Sequence, residues 1–537
     1  MFRPLIRIVA AVALAFSTTA YGAPVLETLF LQNEVLPGAD QLPGFVEPQP
    51  FARPPVIGDA VRNNGQGALA TSVNGNFLTR VRTDSSEGSA NSAAGVYYLF
   101  GDTTGGLAPT SLRREATVAG IEQQNFGSPA IDNAGNLTYT TLTGNTGTAG
   151  SGFSILWEND TPVLTPGDAI TSGPLTGNFF GGAGGVHRTP AGVVSWITSY
   201  SDTSGGEPVG SALLRGLGTN EVVLQSGDVI PDLVTIPSIG GAISGNIEWS
   251  DLGTNYLTEV ALPTDRVNNF GDPIFDGGVV LNGAALRTAS GALLRDFEPI
   301  PAADGGRPGE VFESFFQWDV NEAGDWILGA FTSDPNEDDV VLVNGEIAYR
   351  QGDFLDGVEL LGQPEGMAIN DRGDIALAWS DTLFINDQKI ASPGTMVDTD
   401  GDGVGDMPWD SIGLNNLQLT NLPATGGDGL PVLYVSAEVG FNIDTIIRLR
   451  PADRSTGDFN GDGVVDAADY TVWRDSEGSE LLLAADANGD NVVDADDLAI
   501  WTANYGSTVG GSSLAVPEPT AFALLMLGSL SAAVRRR

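Results

Sequence analysis

The sequence predicts a mainly β protein, in which a β-propeller-like array of about seven four-stranded units precedes a small helical module. Three observations lead to this prediction. Residues 27 to 452 alternate short β-type runs with Gly, Asn, Asp, Thr and Ser and lack long helical periodicity. Two short phrases recur through that region. Two acidic dodecads near the C-terminal end are each followed by apolar residues at helical spacing.

Residues 1–23 have the features of a secretory signal peptide. Arg3 and Arg7 precede the apolar run IVAAVALAF, and the small residues of STTAYGA follow it. An N-terminal membrane anchor is the alternative. The run is shorter than the roughly 20 residues that span a bilayer, which favours the signal peptide. The chain contains no cysteine, and an exported protein of this sequence therefore forms no disulfide.

The first recurring phrase predicts a β-hairpin, because a polar turn with one glycine separates two apolar strands. Weaker copies begin at His187 and Trp249. The turn glycines are expected at positive φ, and from Gly65 to Gly373 they recur about every 62 residues. The clear copies are AVRNNGQGALA (60–70), AIDNAGNLTYT (130–140), DVNEAGDWILGAF (319–331) and AINDRGDIALAW (368–379).

A second phrase follows the hairpins, as VLTPGDAI (163–170), VLQSGDVI (223–230) and AYRQGDFL (348–355). Two hairpins per repeat supply the four strands of one propeller blade. We therefore predict the array over residues 24–452, with an elongated β-solenoid as the alternative. The repeats resemble the tandem NxxGxxAF-type repeats of bacterial surface proteins, with the Asn present at Asn321 and Asn370.

Two dodecads, 458–469 and 486–497, carry the pattern of a calcium-binding loop. Such a loop needs side-chain oxygens at positions 1, 3, 5, 9 and 12 and a backbone carbonyl at position 7. The two dodecads fill these positions and predict two Ca²⁺ sites. The ligands are Asp458, Asn460, Asp462, Val464, Asp466 and Asp469 in the first loop, and Asp486, Asn488, Asp490, Val492, Asp494 and Asp497 in the second.

The residues after each loop predict a helix of about two turns with one buried face. Tyr470, Val472, Trp473 and Gly478 recur as Leu498, Ile500, Trp501 and Gly506. Two loop–helix units with Asp at the last ligand position resemble a type I dockerin, an EF-hand-like module, over residues 453–507. The resemblance implies attachment to a cohesin-like domain or another surface protein. Purely structural calcium and an acidic, solvated linker are the alternatives.

A third acidic phrase, DTDGDGVGDMPWD (398–410), is a further candidate Ca²⁺ site. Asp398, Asp400, Asp402 and Asp406 occupy positions 1, 3, 5 and 9, while Asp410 falls one place after position 12. The phrase resembles the calcium turns of thrombospondin type 3 repeats. An ordinary exposed Asp/Gly loop is the alternative.

The C-terminal segment 516–537 follows a short linker, 508–515. It contains Pro517, Glu518 and Pro519, an apolar stretch from Ala521 to Val534, and three arginines. This arrangement resembles the bacterial PEP-CTERM sorting signal, which an exosortase reads and removes. The resemblance implies delivery to the cell surface, envelope or extracellular matrix of a bacterium. A plain C-terminal anchor helix is the alternative.

The charge of the chain excludes nucleic acid as a partner. The formal net charge is −44, and without both terminal segments 19 basic and 67 acidic residues remain, a net charge of −48. Such a surface repels phosphate backbones and concentrates divalent cations.

The sequence contains no clear catalytic constellation. Its one histidine, His187, lies in a turn-like stretch and is expected to be solvated or to cap backbone groups. The tryptophans of the array are expected in blade cores rather than as sugar-binding platforms. We therefore predict a non-enzymatic protein that is exported to the cell surface or matrix. Polysaccharide is a candidate partner. The alternative is a secreted polysaccharide-active enzyme with a glycosidase-type carboxylate pair, attached through the dockerin-like module.

Overall fold

A computed structural model describes most of the β region and parts of the C-terminal module. The described residues are 25–31, 56–57, 69–71, 76–84, 96–102, 110–114, 117–118, 121–127, 129–143, 154–267, 273–399, 405–421, 431–440, 443–450, 457, 459, 465–478, 485, 487 and 493–507. The chain divides into two compact units between Pro451 and Ala452, and each is described by itself.

The first half of unit 1 is built of strands of two to ten residues. The strands are β1 (Val25–Leu31), β2 (Val56–Ile57), β3 (Leu69–Thr71), β4 (Asn76–Asp84), β5 (Val96–Asp102), β6 (Thr110–Arg114), β7 (Thr117–Val118), β8 (Ile121–Phe126), β9 (Ala130–Ile131), β10 (Leu137–Thr143), β11 (Ser154–Glu158), β12 (Thr161–Leu164), β13 (Phe179–Arg188), β14 (Val194–Ser201), β15 (Gly210–Arg215), β16 (Glu221–Gln225), β17 (Val229–Ile230) and β18 (Val234–Thr235).

The second half of unit 1 is also built of strands, with a short 3-10 turn at Ala302–Asp304. The strands are β19 (Ile243–Trp249), β20 (Tyr256–Val267), β21 (Pro273–Leu281), β22 (Ala284–Ala285), β23 (Phe312–Val320), β24 (Trp326–Thr332), β25 (Asp339–Val343), β26 (Glu346–Arg350), β27 (Phe354–Leu355), β28 (Val358–Glu359), β29 (Gly366–Ile369), β30 (Ile375–Trp379), β31 (Thr382–Ile385), β32 (Gln388–Ala391), β33 (Met396–Val397), β34 (Met407–Leu419), β35 (Leu433–Val439) and β36 (Ile443–Arg450).

The strands form successive antiparallel sheets, most of them simple meanders of four strands. Their orders are β2-β4-β5-β6 with β3 beside β4, β12-β11-β10-β8-β7 with β9 beside β10, β13 to β16, β19 to β22, β23 to β26, β29 to β32, and β1-β36-β35-β34-β33. The pairs β17–β18 and β27–β28 are separate hairpins. Unit 1 is therefore mainly β with many four-stranded antiparallel sheets, as the sequence predicts.

The predicted hairpin turns are confirmed where the structure describes them. The polar turn joins β9 to β10, β13 to β14, β19 to β20, β23 to β24 and β29 to β30. Its glycine has positive φ in all five copies, which L-residues with a Cβ rarely adopt. These glycines are Gly135, Gly192, Gly253, Gly324 and Gly373. The copy at Gly65 lies outside the described residues.

The hydrophobic cores lie between consecutive sheets rather than within isolated ones. Trp196 of β14 packs with Leu156 of the sheet before it. Trp379 of β30 packs in the same way with Ile327 of β24. The tryptophans predicted to be core residues are buried, because broad apolar faces on neighbouring sheets cover each other. They are Trp157, Trp196, Trp249, Trp318, Trp326 and Trp379.

The sheets form a circle that closes on itself. We call β3, β9, β13, β19, β23, β29 and β34 the inner strands. Each inner strand contacts the next in this order, and β34 also contacts β3. The N-terminal strand β1 completes the last sheet by pairing with β36, Val25 opposite Arg450. This radial antiparallel arrangement is propeller-like and differs from the β-solenoid alternative.

Asparagine side chains connect the hairpin turn of one sheet to the turn of the next. Asn321 Nδ2 donates to the carbonyl of Asn370 at 3.0 Å, and Asn370 Nδ2 donates to the carbonyl of Thr420 at 3.2 Å. Asn255 Nδ2 makes the equivalent bond to the carbonyl of Asn321 at 2.9 Å. The repeated Asn of the sequence phrase therefore joins neighbouring sheets at the centre of the unit.

Replacing Asn370 by Asp should destabilise unit 1 by about 1–3 kcal/mol or more, because a buried acceptor then faces the carbonyl of Thr420 in place of a donor. Chemical denaturation of the exported chain measures this change. Arg372→Gln, on the same turn, serves as the control and should leave stability within about 0.5 kcal/mol. Equal stability of Asn370→Asp and the parent would contradict the proposed role of the amide.

Unit 2 contains two short helices, α1 (Ala467–Ser476) and α2 (Ala495–Asn504). Asp466 caps α1 through its side chain, which accepts from the Ala468 amide at 2.7 Å. Gly478 and Gly506 follow the helices at φ of 79° and 85°, as expected for glycines that terminate helices. Tyr470, predicted on the buried face, is instead 38% exposed.

Candidate functional site

The predicted calcium loops of unit 2 are only partly within the described residues. Asp466, Asp469, Asp494 and Asp497, at loop positions 9 and 12, are described. The other eight predicted ligands lie outside the described residues. They are Asp458, Asn460, Asp462, Val464, Asp486, Asn488, Asp490 and Val492.

The position-12 aspartates are the most buried acidic groups among the described residues of unit 2. Asp469 and Asp497 are both 0% exposed. Asp469 Oδ2 accepts from the Asp466 amide at 2.8 Å, and Asp497 Oδ2 accepts from the Asp494 amide at the same distance. Asp497 Oδ1 also accepts from the Ala487 amide at 2.7 Å, which ties the helix start back to the loop. These contacts fix both carboxylates at the end of a predicted loop.

The two loop–helix units are interlocked by matching hydrogen bonds. Trp473 Nε1 of α1 donates to the Asp494 carbonyl at 2.7 Å, and Trp501 Nε1 of α2 donates to the Asp466 carbonyl at 2.8 Å. The amides that follow the helices repeat the exchange: Gly478 donates to Val493, and Gly506 donates to Val465. Val465 and Val493 are fully buried. The two repeats therefore form one body with approximate twofold symmetry.

One side of unit 2 carries an aromatic cluster that consists of the exposed Tyr470 and Tyr505 and the half-buried Trp501. The Tyr470 and Trp501 rings are 5.5 Å apart, and the Trp501 and Tyr505 rings are 5.1 Å apart. Tyr505 is 57% exposed. Clustered exposed aromatic rings are typical of surfaces that contact other molecules.

The third acidic phrase lies beside the strand that closes unit 1. The Asp398 amide donates to the Leu26 carbonyl, and the Thr28 amide donates to the Asp398 carbonyl, both at 2.9 Å. Asp406 Oδ2 accepts from the Thr399 amide at 3.0 Å. Asp410 lies within β34, whereas Asp400 and Asp402 lie outside the described residues.

Across the described part of the chain, no three His, Cys, Asp or Glu side chains are grouped closely enough to hold a metal ion. Within those same residues, none of the helices is both long and apolar enough to cross a membrane.

A second group of acids, which the sequence did not predict, lies where the hairpin turns of unit 1 meet. We call Glu248, Asp251, Asp319, Glu322 and Asp371 the axial carboxylates. They belong to the inner strands β19 and β23 and to the turns after β19, β23 and β29. Asn421, after β34, donates to Asp251 Oδ2 at 2.6 Å although two sheets separate their strands in the circle. The side chains therefore meet across the axis.

The surroundings of three axial carboxylates, Glu248, Asp319 and Asp251, favour their protonated forms. Burial raises the pKa of Glu248 to about 8, and the Asp319 charge adds to the shift. Burial likewise raises the pKa of Asp319 to about 7, although hydrogen bonds from the Ile369 and Val320 amides lower it. The pKa of Asp251 rises to about 6 because of burial and the neighbouring charge of Asp371.

A signal for this group was present in the sequence. Asp251, Glu322 and Asp371 occupy the third position of the hairpin phrase, in WSDLG, VNEAG and INDRG. Glu248 and Asp319 stand directly before the phrase. These shared positions indicate a common site only when the turns are known to converge on one axis.

The prediction for His187 is wrong. The residue lies within β13 and not in a turn, and its ring stacks on Trp249 with centroids 5.5 Å apart. Burial lowers the pKa of His187 to about 4, with a further contribution from the Arg215 charge. The imidazole is therefore a neutral packing group at physiological pH.

The C-terminal end of the sequence matches a known sorting signal. Residues 515–537 match the family model of the PEP-CTERM protein-sorting motif. The protein is exported to the cell surface or envelope of a bacterium. The match confirms the sorting tail predicted at residues 516–537. No curated protein matches the sequence.

Several solved structures share limited similarity with this exported protein. The β-propeller domain of the Trilobed protease from Pyrococcus furiosus is 11% identical, covers 74% of this chain and 94% of its own, and gives a TM-score of 0.35. The GH93 α-L-arabinofuranosidase of Fusarium graminearum is 10% identical, with 78% and 98% coverage and a TM-score of 0.29. The Trypanosoma rangeli sialidase is 10% identical, with 79% and 59% coverage and a TM-score of 0.29. At these TM-scores the similarities carry no functional argument.

Proposed function

We propose that this exported protein attaches to a surface partner through a calcium-stabilised, dockerin-like module at residues 453–507. The β unit then serves as a non-enzymatic binding or structural platform. The observation that carries this proposal is the interlocked pair of loop–helix repeats, in which Trp473 and Trp501 exchange equivalent bonds. A doubled module with its last predicted ligands buried at Asp469 and Asp497 fits two Ca²⁺ sites.

Helix capping alone also accounts for Asp466 and Asp469, since both complete the start of α1. The calcium proposal therefore depends on the oxygens at loop positions 1, 3 and 5, which capping does not require. A cohesin-like domain, or another surface protein, is the proposed partner. An exosortase-type enzyme is the proposed processor of the tail at residues 515–537.

Capture from the envelope fraction of the source bacterium tests the docking proposal. The bait is residues 24–515, compared in calcium and in EDTA. Asp469→Ala with Asp497→Ala should abolish capture together with calcium binding. Tyr470→Ser with Tyr505→Ser should weaken capture but leave calcium binding intact, because both rings are exposed. Capture that is indifferent to EDTA and to both variants would overturn the docking role.

Unit 1 is proposed as a ring of seven blades. The circle of contacts among the inner strands β3, β9, β13, β19, β23, β29 and β34 supports this number. Pairing of β1 with β36 closes the ring with strands from both ends of the unit. The third acidic phrase, 398–410, is proposed as a further Ca²⁺ site beside this closure.

One observation favours polysaccharide hydrolysis as a second candidate function. Glu248 and Asp319 lie on adjacent inner strands, and their raised pKa values suit a carboxyl group that donates a proton near neutral pH. Hydrolysis of a panel of bacterial, plant and algal polysaccharides tests it. Activity that disappears in Glu248→Gln would favour the enzyme, whereas no release of sugar from any substrate would count against it.

A further inference from the structure

Three side chains join opposite sides of the inner-strand circle at the end that carries the hairpin turns. Asn421 Nδ2 donates to Asp251 Oδ2 at 2.6 Å and to Asp371 Oδ2 at 2.8 Å. An amide nitrogen has two hydrogens, so it serves both carboxyl groups at once. The three residues thereby link the turns after β19, β29 and β34.

Backbone amides hold this bridge in place. The Asp371 amide donates to Asn421 Oδ1 at 2.7 Å, and the Glu322 amide donates to Asp371 Oδ1 at 2.8 Å. The turns after β23, β29 and β34 are thus linked in series. Any opening of the bridge exposes these two amides to solvent, which makes them reporters of its state.

The charged groups that act on the bridge are acidic. The charges of Asp371 and Glu322 raise the pKa of Asp251, and the charges of Asp251 and Asp371 raise the pKa of Asp319. The charge of Asp319 raises the pKa of Glu248. On the adjacent residue of β19, Trp249 packs against His187 and beneath Arg215. His187 is neutral, and Arg215 donates to the Gly253 carbonyl at 2.8 Å. Full ionisation therefore places several like charges around one axis.

We propose that Asp251, Asp371 and Asn421 form a proton-dependent latch, which holds the turns after β19, β29 and β34 together in mild acid and releases them as the surrounding carboxyl groups ionise. The latch is independent of the docking module.

The direction of the pH dependence follows from linkage. The closed state raises the pKa of Asp251 to about 6, of Asp319 to about 7 and of Glu248 to about 8, chiefly through burial. A solvated carboxyl in the open state returns towards its ordinary pKa near 4. The closed state therefore binds these protons more tightly, is fully favoured below about pH 4, and loses that advantage as the pH rises through 6 to 8.

Hydrogen exchange of the Glu322 and Asp371 amides tests the latch. The exported chain is measured from pH 5 to 8.5 at constant saturating calcium, with rates corrected for intrinsic exchange. Protection should fall at least about tenfold between pH 5 and 8, because each pKa unit of difference changes the closed-to-open ratio about tenfold. Protection that stays constant over this range would overturn the proposal.

Isosteric variants separate the latch from general stability. Glu248→Gln with Asp319→Asn removes two ionising groups and should keep the Glu322 and Asp371 amides protected up to pH 8. Asn421→Asp removes the bridging donor, adds an acid and should lower the pH at which protection is lost. Asp353→Asn, in an exposed turn outside the bridge, should retain the parent profile. An unchanged profile in Asn421→Asp would contradict the role of the bridge.

Discussion

Chelation of calcium should unfold the two helices of unit 2 while unit 1 remains folded. Among the described residues of unit 2, the buried hydrophobic side chains are Phe459, Val465, Trp473, Ala485 and Val493. A core of that size needs a further source of stability. A ligand at 1,000 times its Kd supplies about 4 kcal/mol, so its removal leaves such a module largely unfolded. Hydrogen exchange of peptides from 465–478 and 493–507, with and without EDTA, measures this loss.

Aspartate-to-asparagine variants distinguish calcium binding from helix capping. Asp469→Asn with Asp497→Asn keeps an oxygen for the backbone amides but removes two charges from the predicted sites. We expect these variants to lose their protection in calcium as well. If the aspartates act only as caps, protection in the variants and in the parent should be equal and insensitive to EDTA.

Thr28→Pro should open the ring of unit 1 and cost about 3 kcal/mol or more. The substitution removes the amide that donates to the Asp398 carbonyl, and an unsatisfied buried acceptor costs about 1–3 kcal/mol. Displacement of β1 also exposes Leu26, whose burial contributes about 1.5–3 kcal/mol. Denaturant unfolding, followed by near-ultraviolet circular dichroism, measures the change.

Thr28→Val is the matched control for ring closure, since it keeps the amide and the β-branched side chain. It loses only the Oγ1 hydrogen bond to the Thr399 carbonyl, at 3.3 Å. Stability close to that of the parent is expected. Equal unfolding midpoints for Thr28→Pro and Thr28→Val would show that β1 does not carry the closure.

Local signals account for what the sequence could predict of the fold. A turn glycine such as Gly324 or Gly373 marks a hairpin because its positive φ is a local requirement. The pairing of β1 with β36 was not predicted, since nothing within VLETLFL specifies a partner at the far end of the unit. Strand pairing over such a distance is decided by packing rather than by propensity.

The candidate sites likewise divide into those with a local sequence signal and those that only the folded structure brings together. The loop pattern of 458–469 and 486–497 is visible because its ligands are close in sequence. The axial carboxylates were not predicted, because Asp251 and Asp371 come together only through the circle of sheets. The prediction for His187 fails because glycine-rich stretches are typical of turns, whereas β13 accommodates these glycines through irregular pairing with β14.

The number of calcium ions bound per chain tests the central claim most directly. Native mass spectrometry of residues 24–515 should show at least two bound Ca²⁺, and a third if the 398–410 phrase also binds. Asp469→Ala with Asp497→Ala should reduce the number by two. A parent chain that binds no calcium, or a variant that binds as much as the parent, would contradict a calcium-stabilised docking module.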